Sequence, residues 1–224
     1  MDKVTEHPSK NRRGDELPLI VVTALFVTLY LTSNIMAVKV IGLMNLFYFD
    51  AGTITFPLTY MLGAVITEIW GYRIARRTIF MTFVCNLILV FFTQIGVYLP
   101  SPDYLDTTTT AYNHIFSYVP RIIVASLAAF LTGELANARI MSWIKKLTQG
   151  GKLWIRTIGS SAVGYLLDSI IFIVIAFYGT VSERELLLMI AFQYLMKLSI
   201  EIILATPSTY LIVGFIKRKY LSSL

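Results

Sequence analysis

The sequence predicts an all-α, polytopic membrane protein: a bundle of six transmembrane helices with both termini in the cytoplasm. Of its 224 residues, 56% are hydrophobic and only 14% are charged, which is unusual for a soluble protein. The apolar residues form six continuous segments, each near or above the ~20 residues that a spanning helix needs. Because these segments do not alternate between apolar and polar residues, they favour helices over a β-barrel.

The six apolar segments set the boundaries of the domains. Residues 1–16, which precede them, are polar and mixed in charge, and we expect a flexible cytoplasmic tail there. Residues 17–216 then form one transmembrane domain, and the basic residues 217–224 form a cytoplasmic C-terminus. The first segment is too long for the apolar part of a signal peptide, so we expect it to remain in the protein. The segments lie at about 17–38, 53–69, 78–99, 118–141, 154–179 and 186–216.

The connections between the segments alternate in charge. Lys and Arg concentrate in the N-terminal tail, in a 70–77 loop, at 139–156 and at the C-terminus. The intervening connections carry only Lys39, Arg121 and Arg184. By the positive-inside rule, this alternation predicts that both termini are cytoplasmic. The net charge of +6 therefore reflects topology, and we expect no nucleic-acid partner.

Turn signals and prolines refine this outline. The segment 100–114, rich in Pro and Thr, predicts a surface connection, and the Gly150–Gly151 pair predicts a tight turn between helices. Pro57 and Pro207 lie inside apolar segments and are expected to kink their helices. Because lipid cannot satisfy the carbonyls that a kink frees, both prolines are expected to face protein or a cavity.

Charged side chains lie at membrane depth inside the apolar segments. Asp168 lies ~16 Å from the outer end of its helix, and Lys197 lies at a similar depth in the next one, so the two can meet near the midplane. Glu201 is one turn from Lys197 on the same face. Glu68 and Glu134 lie close to the level of Glu201. A lone charge there costs at least ~2.5–3.5 kcal/mol, so these groups are expected to face inward and to pair or meet water.

Two interpretations of these charges stay open. An ionisable group in a membrane is by default a functional-site candidate. Alternatively, Lys197 forms a closed ion pair with Asp168 or Glu201 that only fixes helix register. Glu68 lies near Arg73, Arg76 and Arg77 in the sequence, so a cytoplasmic salt bridge is as reasonable for it as a ligand contact.

Uncharged polar and aromatic residues extend the candidate site. Asn34 and Gln193 can both donate and accept hydrogen bonds, which suits the edge of a heterocycle. Tyr60 and Tyr165 offer flat faces for stacking a ring, although packing is the usual role of such residues. Ser160 is a further candidate, with helix packing as its alternative role.

The residue inventory excludes several classes of membrane protein. An intramembrane aspartyl protease needs two aspartates at the midplane, and Asp168 is alone there. A serine-type intramembrane protease needs a histidine base in the membrane, and an ion channel needs a filter motif; the sequence has neither. Cys and His are sparse and scattered, so no disulfide, metal site or cofactor is expected. A small carrier remains, with a non-transport membrane scaffold as the competing class.

Four stretches together resemble the queuosine precursor transporter family of bacterial inner membranes. The resemblance implies a six-helix importer of a 7-deazaguanine, either the 7-cyano or the 7-aminomethyl compound or queuine, for tRNA modification, with no enzyme activity. It marks Asp168 and Lys197, which depth also selects. The stretches are SNIMAVKV (33–40), TFPLTYMLGAVITEIWGYRIARR (55–77), WIRTIGSSAVGYLLDSIIFIVIAFYG (154–179) and YLMKLSIEIILATPSTYLIVGFIKR (194–218).

The resemblance also implies partners, and the sequence departs from it in places. The partners are a 7-deazapurine and the lipid bilayer. In size, the chain also resembles the substrate-binding subunits of energy-coupling-factor importers. An ATPase module as a partner, or a homo-oligomer, therefore stays open. Members often have an aspartate at Ala64, a glutamine at Tyr165 and an aspartate near Asn137, so a changed precursor is an alternative ligand.

A binding mode follows from the chemistry of a deazaguanine. A carboxylate can accept from its amino and ring N–H groups together, which we assign to Asp168 or Glu201. Lys197 or Asn34 would bind the carbonyl oxygen, and Tyr60 or Tyr165 would stack on the ring. Rocking of helices about Pro57 and Pro207 would alternate access to the site.

Overall fold

The structure is a computed structural model that describes residues 12–43, 47–116, 120–179 and 181–220. Side chains are described within these ranges except at 12–16, 40, 42, 43, 47, 48, 103, 120–123 and 220. Helices make up most of this part of the chain, which confirms the predicted all-α class. Within these described ranges, five helical segments are long and apolar enough to cross a membrane: Leu17–Met36, Gly52–Trp70, Tyr72–Tyr98, Leu153–Phe177 and Glu183–Lys219.

The helices follow the predicted order of apolar segments. They are α1 (Arg12–Met36), α2 (Gly52–Trp70), α3 (Tyr72–Tyr98), α4 (Asp106–Phe116), α5 (Pro120–Leu147), α6 (Leu153–Phe177), α7 (Glu183–Ile200) and α8 (Thr206–Tyr220). One turn of π-helix (Glu201–Ala205) joins α7 to α8. Between α1 and α2, the strands β1 (Val40–Leu43) and β2 (Phe47–Asp50) form an antiparallel hairpin in which Val40 pairs with Asp50.

Helix α5 occupies the fourth predicted segment but is not among the five candidate spans. Its apolar stretch contains Glu134, Asn137 and Arg139, which lower its hydropathy. The count of six spans, the cytoplasmic location of both termini and the domain boundaries therefore stay predictions. The tail residues 1–11 and the last residues 221–224 lie outside the described part of the chain.

Several connections differ from the sequence expectation. The predicted 70–77 loop is absent: α2 and α3 are separated by Gly71, whose φ of +83° favours glycine, so the arginines of this region lie on α3. Helix α1 begins at Arg12, inside the predicted 1–16 tail. The segment 100–114 contains the exposed helix α4. The turn between α5 and α6 is present as predicted, with Gly150 at φ +82°.

Helix α2 lies at the centre of the bundle and is buried along most of its length. On one side, α5 packs against α6 at Gly133 and Gly164, where small residues let the backbones approach. A Cβ atom at Gly164 would lie 2.7 Å from Tyr60 Cε1 and 3.0 Å from the Gly133 carbonyl oxygen. The helices of the bundle are therefore held in a close and specific register.

The bundle has two ends that the later sections refer to. The hairpin end holds the hairpin, the start of α2 and the end of α6; the basic end holds the end of α2, the start of α6 and the end of α8. Pro57 is buried in α2 near the hairpin end, as predicted. Pro207 is exposed in the first turn of α8, so its predicted inward position is wrong.

Candidate functional site

Asp168 of α6 and Lys197 of α7, which helix depth predicts to meet, form an ion pair in which the ammonium donates to Oδ2. Each residue is only 2% exposed. The Lys197 ammonium also lies 4.8 Å from the centroid of the Phe56 ring, a cation–π contact with α2. The pair therefore ties α6 and α7 together and places its charges against the central helix.

A small cavity adjoins this ion pair at the hairpin end of the bundle. Its volume of about 20 Å³ is enough for about one water molecule. A carboxylate and an ammonium on the wall of a cavity can exchange their mutual contact for contacts with a ligand. The cavity is lined by Ala37, Asp50, Phe56, Ser126, Asp168, Phe172, Gln193 and Lys197.

A wider cavity of about 80 Å³ lies next to the first one, and both are bordered by Ala37, Ser126 and Phe172. Most of its lining is apolar and comes from α1, α3 and the α4–α5 region. Asn34, a predicted site residue, lies on its wall; its amide donates to the Tyr30 carbonyl at 3.2 Å and its oxygen accepts from the Ser126 hydroxyl. Asn34 thus borders the route toward the ion pair and does not touch the pair's own cavity.

Two buried amide oxygens at these cavities lack a hydrogen-bond partner in the described part of the chain. Gln193 Oε1 belongs to the residue that lines the smaller cavity, and Asn86 Oδ1 to one that lines the wider cavity. Gln193 is 6% exposed and Asn86 is 2% exposed. A buried acceptor without a donor costs ~1–3 kcal/mol, so both oxygens are suited to accept from a ligand N–H group.

Glu201 has different partners from those that its spacing suggests. It does not pair with Lys197: Oε2 accepts from the Tyr165 hydroxyl at 2.8 Å and Oε1 from the Thr206 hydroxyl at 3.1 Å. Glu201 keeps the regular helical spacing from Lys197, because its N–H still bonds to the Lys197 carbonyl. The π-turn that follows brings the Thr206 N–H to the Glu201 carbonyl, and the Thr206 hydroxyl reaches the carboxylate. Of the two alternative partners for Lys197, the structure therefore has Asp168 and not Glu201.

The remaining predicted residues lie in the packed interior and border neither cavity. Tyr60 and Tyr165 contact each other, with ring centroids 4.4 Å apart, and both are fully buried. Glu134 lies against Gly63, where a Cβ atom would be 2.9 Å from its Oε2, and accepts from the Asn137 amide at 3.4 Å. Ser160 donates to the Thr157 carbonyl at 3.2 Å. The packing interpretation fits these residues in the present conformation.

Glu68 forms an ion-pair cluster at the basic end, but its partners are not the predicted arginines. Its carboxylate contacts Arg156 Nη1 at 2.9 Å and both Lys145 Nζ and Lys217 Nζ at 3.3 Å. Arg73 and its neighbours on α3 point elsewhere because α3 follows α2 almost without a loop and turns those side chains outward. The cluster joins α2 to α5, α6 and α8 and closes the bundle at this end.

Asp50 is a cavity residue that sequence reasoning missed. Its Oδ1 accepts from the Thr53 backbone N–H and its Oδ2 from the Thr53 hydroxyl, both at 3.0 Å, at the start of α2. An acid three residues before a threonine at the start of an apolar segment is a helix-capping signal that could have identified it. Its position on the cavity wall could not be seen, because that depends on the hairpin. Within the described residues, no cluster of metal-ligating side chains occurs.

A family profile described as "putative vitamin uptake transporter" matches residues 50–212. The chain belongs to this family. The match begins at the last residue of β2, covers α2 to α7 and ends inside α8, and it includes every predicted site residue except Asn34. With the five candidate spans, membership in the vitamin uptake transporter family identifies a multi-pass bacterial membrane protein, as predicted.

Bacterial proteins that are similar to this chain carry more specific names. A "probable queuosine precursor transporter" of Bacillus subtilis is 30% identical over 179 residues, 80% of this chain and 77% of the relative. A protein of the same name from Haemophilus influenzae is 28% identical over 184 residues, 80% of this chain and 75% of the relative. The "queuosine precursor transporter" of Escherichia coli is 25% identical over 155 residues, 69% of this chain and 67% of the relative. The resemblance found in the sequence is thereby confirmed, and no solved structure matches.

Proposed function

We propose that this protein imports a 7-deazaguanine precursor of queuosine across the bacterial inner membrane, with the Asp168–Lys197 pair as the centre of its binding site. The observation that carries the proposal is a buried ion pair on the wall of a cavity between helices. Three relatives named as queuosine precursor transporters support the class of substrate. The proposal includes no catalytic step.

The residues on the cavity wall match the groups of a deazaguanine. The carboxylate of Asp168 would accept from the ring N–H and the amino group in a two-point contact, and Lys197 would donate to the carbonyl oxygen. Gln193 Oε1 would accept a further N–H, which would satisfy an acceptor that is unpartnered among the described residues. Phe56 and Phe172 border the cavity and take the stacking role first assigned to Tyr60 and Tyr165.

Binding requires the bundle to open. The cavity beside the pair holds about 20 Å³, and a bicyclic base is many times larger than the one water that fits there. The base would therefore bind in a more open conformation in which Asp168 and Lys197 separate around its edge. Separating the ion pair costs free energy, which contacts with the ligand must exceed. Without ligand, the protein would therefore favour the closed form.

The two ends of the bundle differ in a way that suits alternating access. The cavities lie near the hairpin end, whereas the Glu68 ion pairs join the helices at the basic end. With the predicted topology, the base would enter from outside through the wider cavity and leave toward the cytoplasm when the Glu68 contacts separate. The π-turn between α7 and α8 is a better hinge than the exposed Pro207, since it interrupts the helix one turn from Lys197.

Uptake by the purified chain in liposomes tests the proposal. Unaided uptake of radiolabelled 7-cyano- or 7-aminomethyl-7-deazaguanine is expected, with loss of uptake in Asp168→Asn. Asp106→Asn, a matched change at an exposed acid in α4, should leave uptake at the wild-type level. Uptake that appears only with a partner ATPase would favour the subunit alternative. No binding and no uptake of either compound would contradict the proposal and favour the scaffold class.

A further inference from the structure

The smaller cavity carries an excess of negative charge. Its lining contains two carboxylates, Asp50 and Asp168, against one ammonium, Lys197. Lys197 is ion-paired with Asp168, whereas no cation of the described residues lies within 4 Å of the Asp50 carboxylate. The site thus has one carboxylate to spare for a positively charged ligand group.

Helix capping explains the position of Asp50 but not its charge. The two contacts from Thr53 use part of the carboxylate, which offers about four lone-pair sites. A neutral asparagine or serine would cap the start of α2 about as well. Beside the same cavity, Gln193 is only 6% exposed and its side-chain oxygen lacks a donor in the described part of the chain, so a second group also points to a ligand.

The chemistry of the base places a charged side arm near Asp50. In a 7-deazaguanine, the 7-substituent and the ring carbonyl project on the same side of the ring. If Lys197 donates to the carbonyl, the end of the 7-substituent lies near Lys197, where an ammonium group would be repelled unless an anion compensates. Asp50 borders the same cavity as Lys197 and interacts electrostatically with it, so it is the residue placed to do so.

We propose that Asp50 is a specificity-determining residue that selects 7-deazaguanines whose 7-substituent ends in an ammonium group over those that end in an uncharged nitrile. This inference rests on the proposed function and names the ligand of that site more closely. Asp50 would form a charge-assisted hydrogen bond with the ammonium while Asp168 and Lys197 hold the ring. A nitrile cannot donate and would leave the Asp50 carboxylate unpaired.

The pH dependence of binding follows from the surroundings of Asp50. Burial raises the pKa of its carboxyl, and the Lys197 ammonium opposes that rise. Across the cavity, the charged groups that face it are Lys197 on α7 and Asp168 on α6, while α5 presents Ser126 and α2 presents Phe56. Acidification protonates Asp50 and removes its attraction for a cation. The affinity for the ammonium-bearing ligand should therefore fall as the pH falls, and Asp50→Asn should abolish that part of the dependence.

Equilibrium binding to the detergent-solubilised full chain tests the inference. 7-Aminomethyl-7-deazaguanine should bind wild type at least about tenfold more tightly than 7-cyano-7-deazaguanine. A ratio of this size corresponds to the free energy of one hydrogen bond to a charged group. Asp50→Asn, which keeps the cap, should remove that preference mainly by weakening the aminomethyl compound. Asp50→Ser serves if the asparagine variant is not monodisperse, and Asp106→Asn is the matched control.

The outcomes separate this inference from the proposed function. If both compounds bind wild type with equal affinity, or if the preference survives in Asp50→Asn and Asp50→Ser, the role of Asp50 is wrong although the transporter proposal stands. If neither compound binds, the proposed function fails and this inference fails with it. A preference that disappears only in the Asp50 variants supports both.

Discussion

The Asp168–Lys197 pair permits a test in which structural and binding roles give opposite results. The variants are Lys197→Met, Asp168→Asn and the two changes together. Each residue is 2% exposed, so removing one partner leaves a buried charge without compensation. For Lys197→Met, the free energy of unfolding should fall by ~3–5 kcal/mol, because the buried Asp168 loses its ion-pair partner.

The other two variants should lose less stability. In Asp168→Asn, the Lys197 ammonium still faces Asp50 across the cavity, so we expect a smaller loss than in Lys197→Met. In the double variant no charge of the pair remains, and most of the loss should be recovered, because neutral side chains can replace a buried pair at little cost. The coupling between the two changes should therefore reach at least about 3 kcal/mol.

Uptake should respond differently from stability. Each of the three variants should reduce the initial rate of 7-deazaguanine uptake at least about tenfold, because each removes a charged contact with the base. Unfolding in mixed detergent micelles measures the stability, and transport into liposomes measures the initial rate of uptake. Lys152→Met, at an exposed lysine, is the control for both. A double variant with wild-type stability and wild-type uptake would refute the binding role and leave only a register-fixing ion pair.

Two further changes test the packing and the basic end. Gly164→Ala should lower the free energy of unfolding by ~1–3 kcal/mol, because its Cβ would lie 2.7 Å from Tyr60 Cε1. Gly214→Ala, with nothing within 4 Å, should instead stabilise α8 by up to ~1 kcal/mol; equal losses would contradict the packing argument. Glu68→Gln should lower the free energy of unfolding by ~3–5 kcal/mol, because it leaves the buried Arg156 without its ion-pair partner. Arg73→Gln, at an exposed residue, should change the free energy of unfolding by no more than ~0.5 kcal/mol. A larger loss would indicate that Arg73 pairs with Glu68, as proximity in the sequence suggests.

The helices and the inward position of the charges could be predicted because they follow from one constraint. A long apolar segment must satisfy its backbone as a helix, and a charge within it must avoid lipid. Counting depth along two neighbouring helices was enough to bring Asp168 and Lys197 together. Neither step required knowledge of how the other helices pack.

The partners of the other acids could not be predicted, because they depend on local geometry. Four-residue spacing places Glu201 one turn from Lys197, and the helix is regular there, yet the Glu201 carboxylate accepts from Tyr165 on the neighbouring helix α6. Proximity in sequence suggests Arg73 for Glu68, whereas its partners are Arg156, Lys145 and Lys217 from other helices.

The cavity wall could be predicted only in part. Lys197, Asp168 and Gln193 were selected because polar groups are rare in apolar segments. Asp50 precedes its segment and resembles an ordinary loop acid until the hairpin places it on the wall. Tyr60 and Tyr165 are aromatic residues at membrane depth, but the close approach of α5 and α6 buries them away from the cavity.

A structure of the protein with a bound 7-deazaguanine tests the central claim most directly. The account predicts that the base lies between α6 and α7, with its donor edge within hydrogen-bonding distance of Asp168, its carbonyl near Lys197 and the two side chains separated around it. A base bound at another place, with the Asp168–Lys197 pair still closed and without ligand contact, would contradict it.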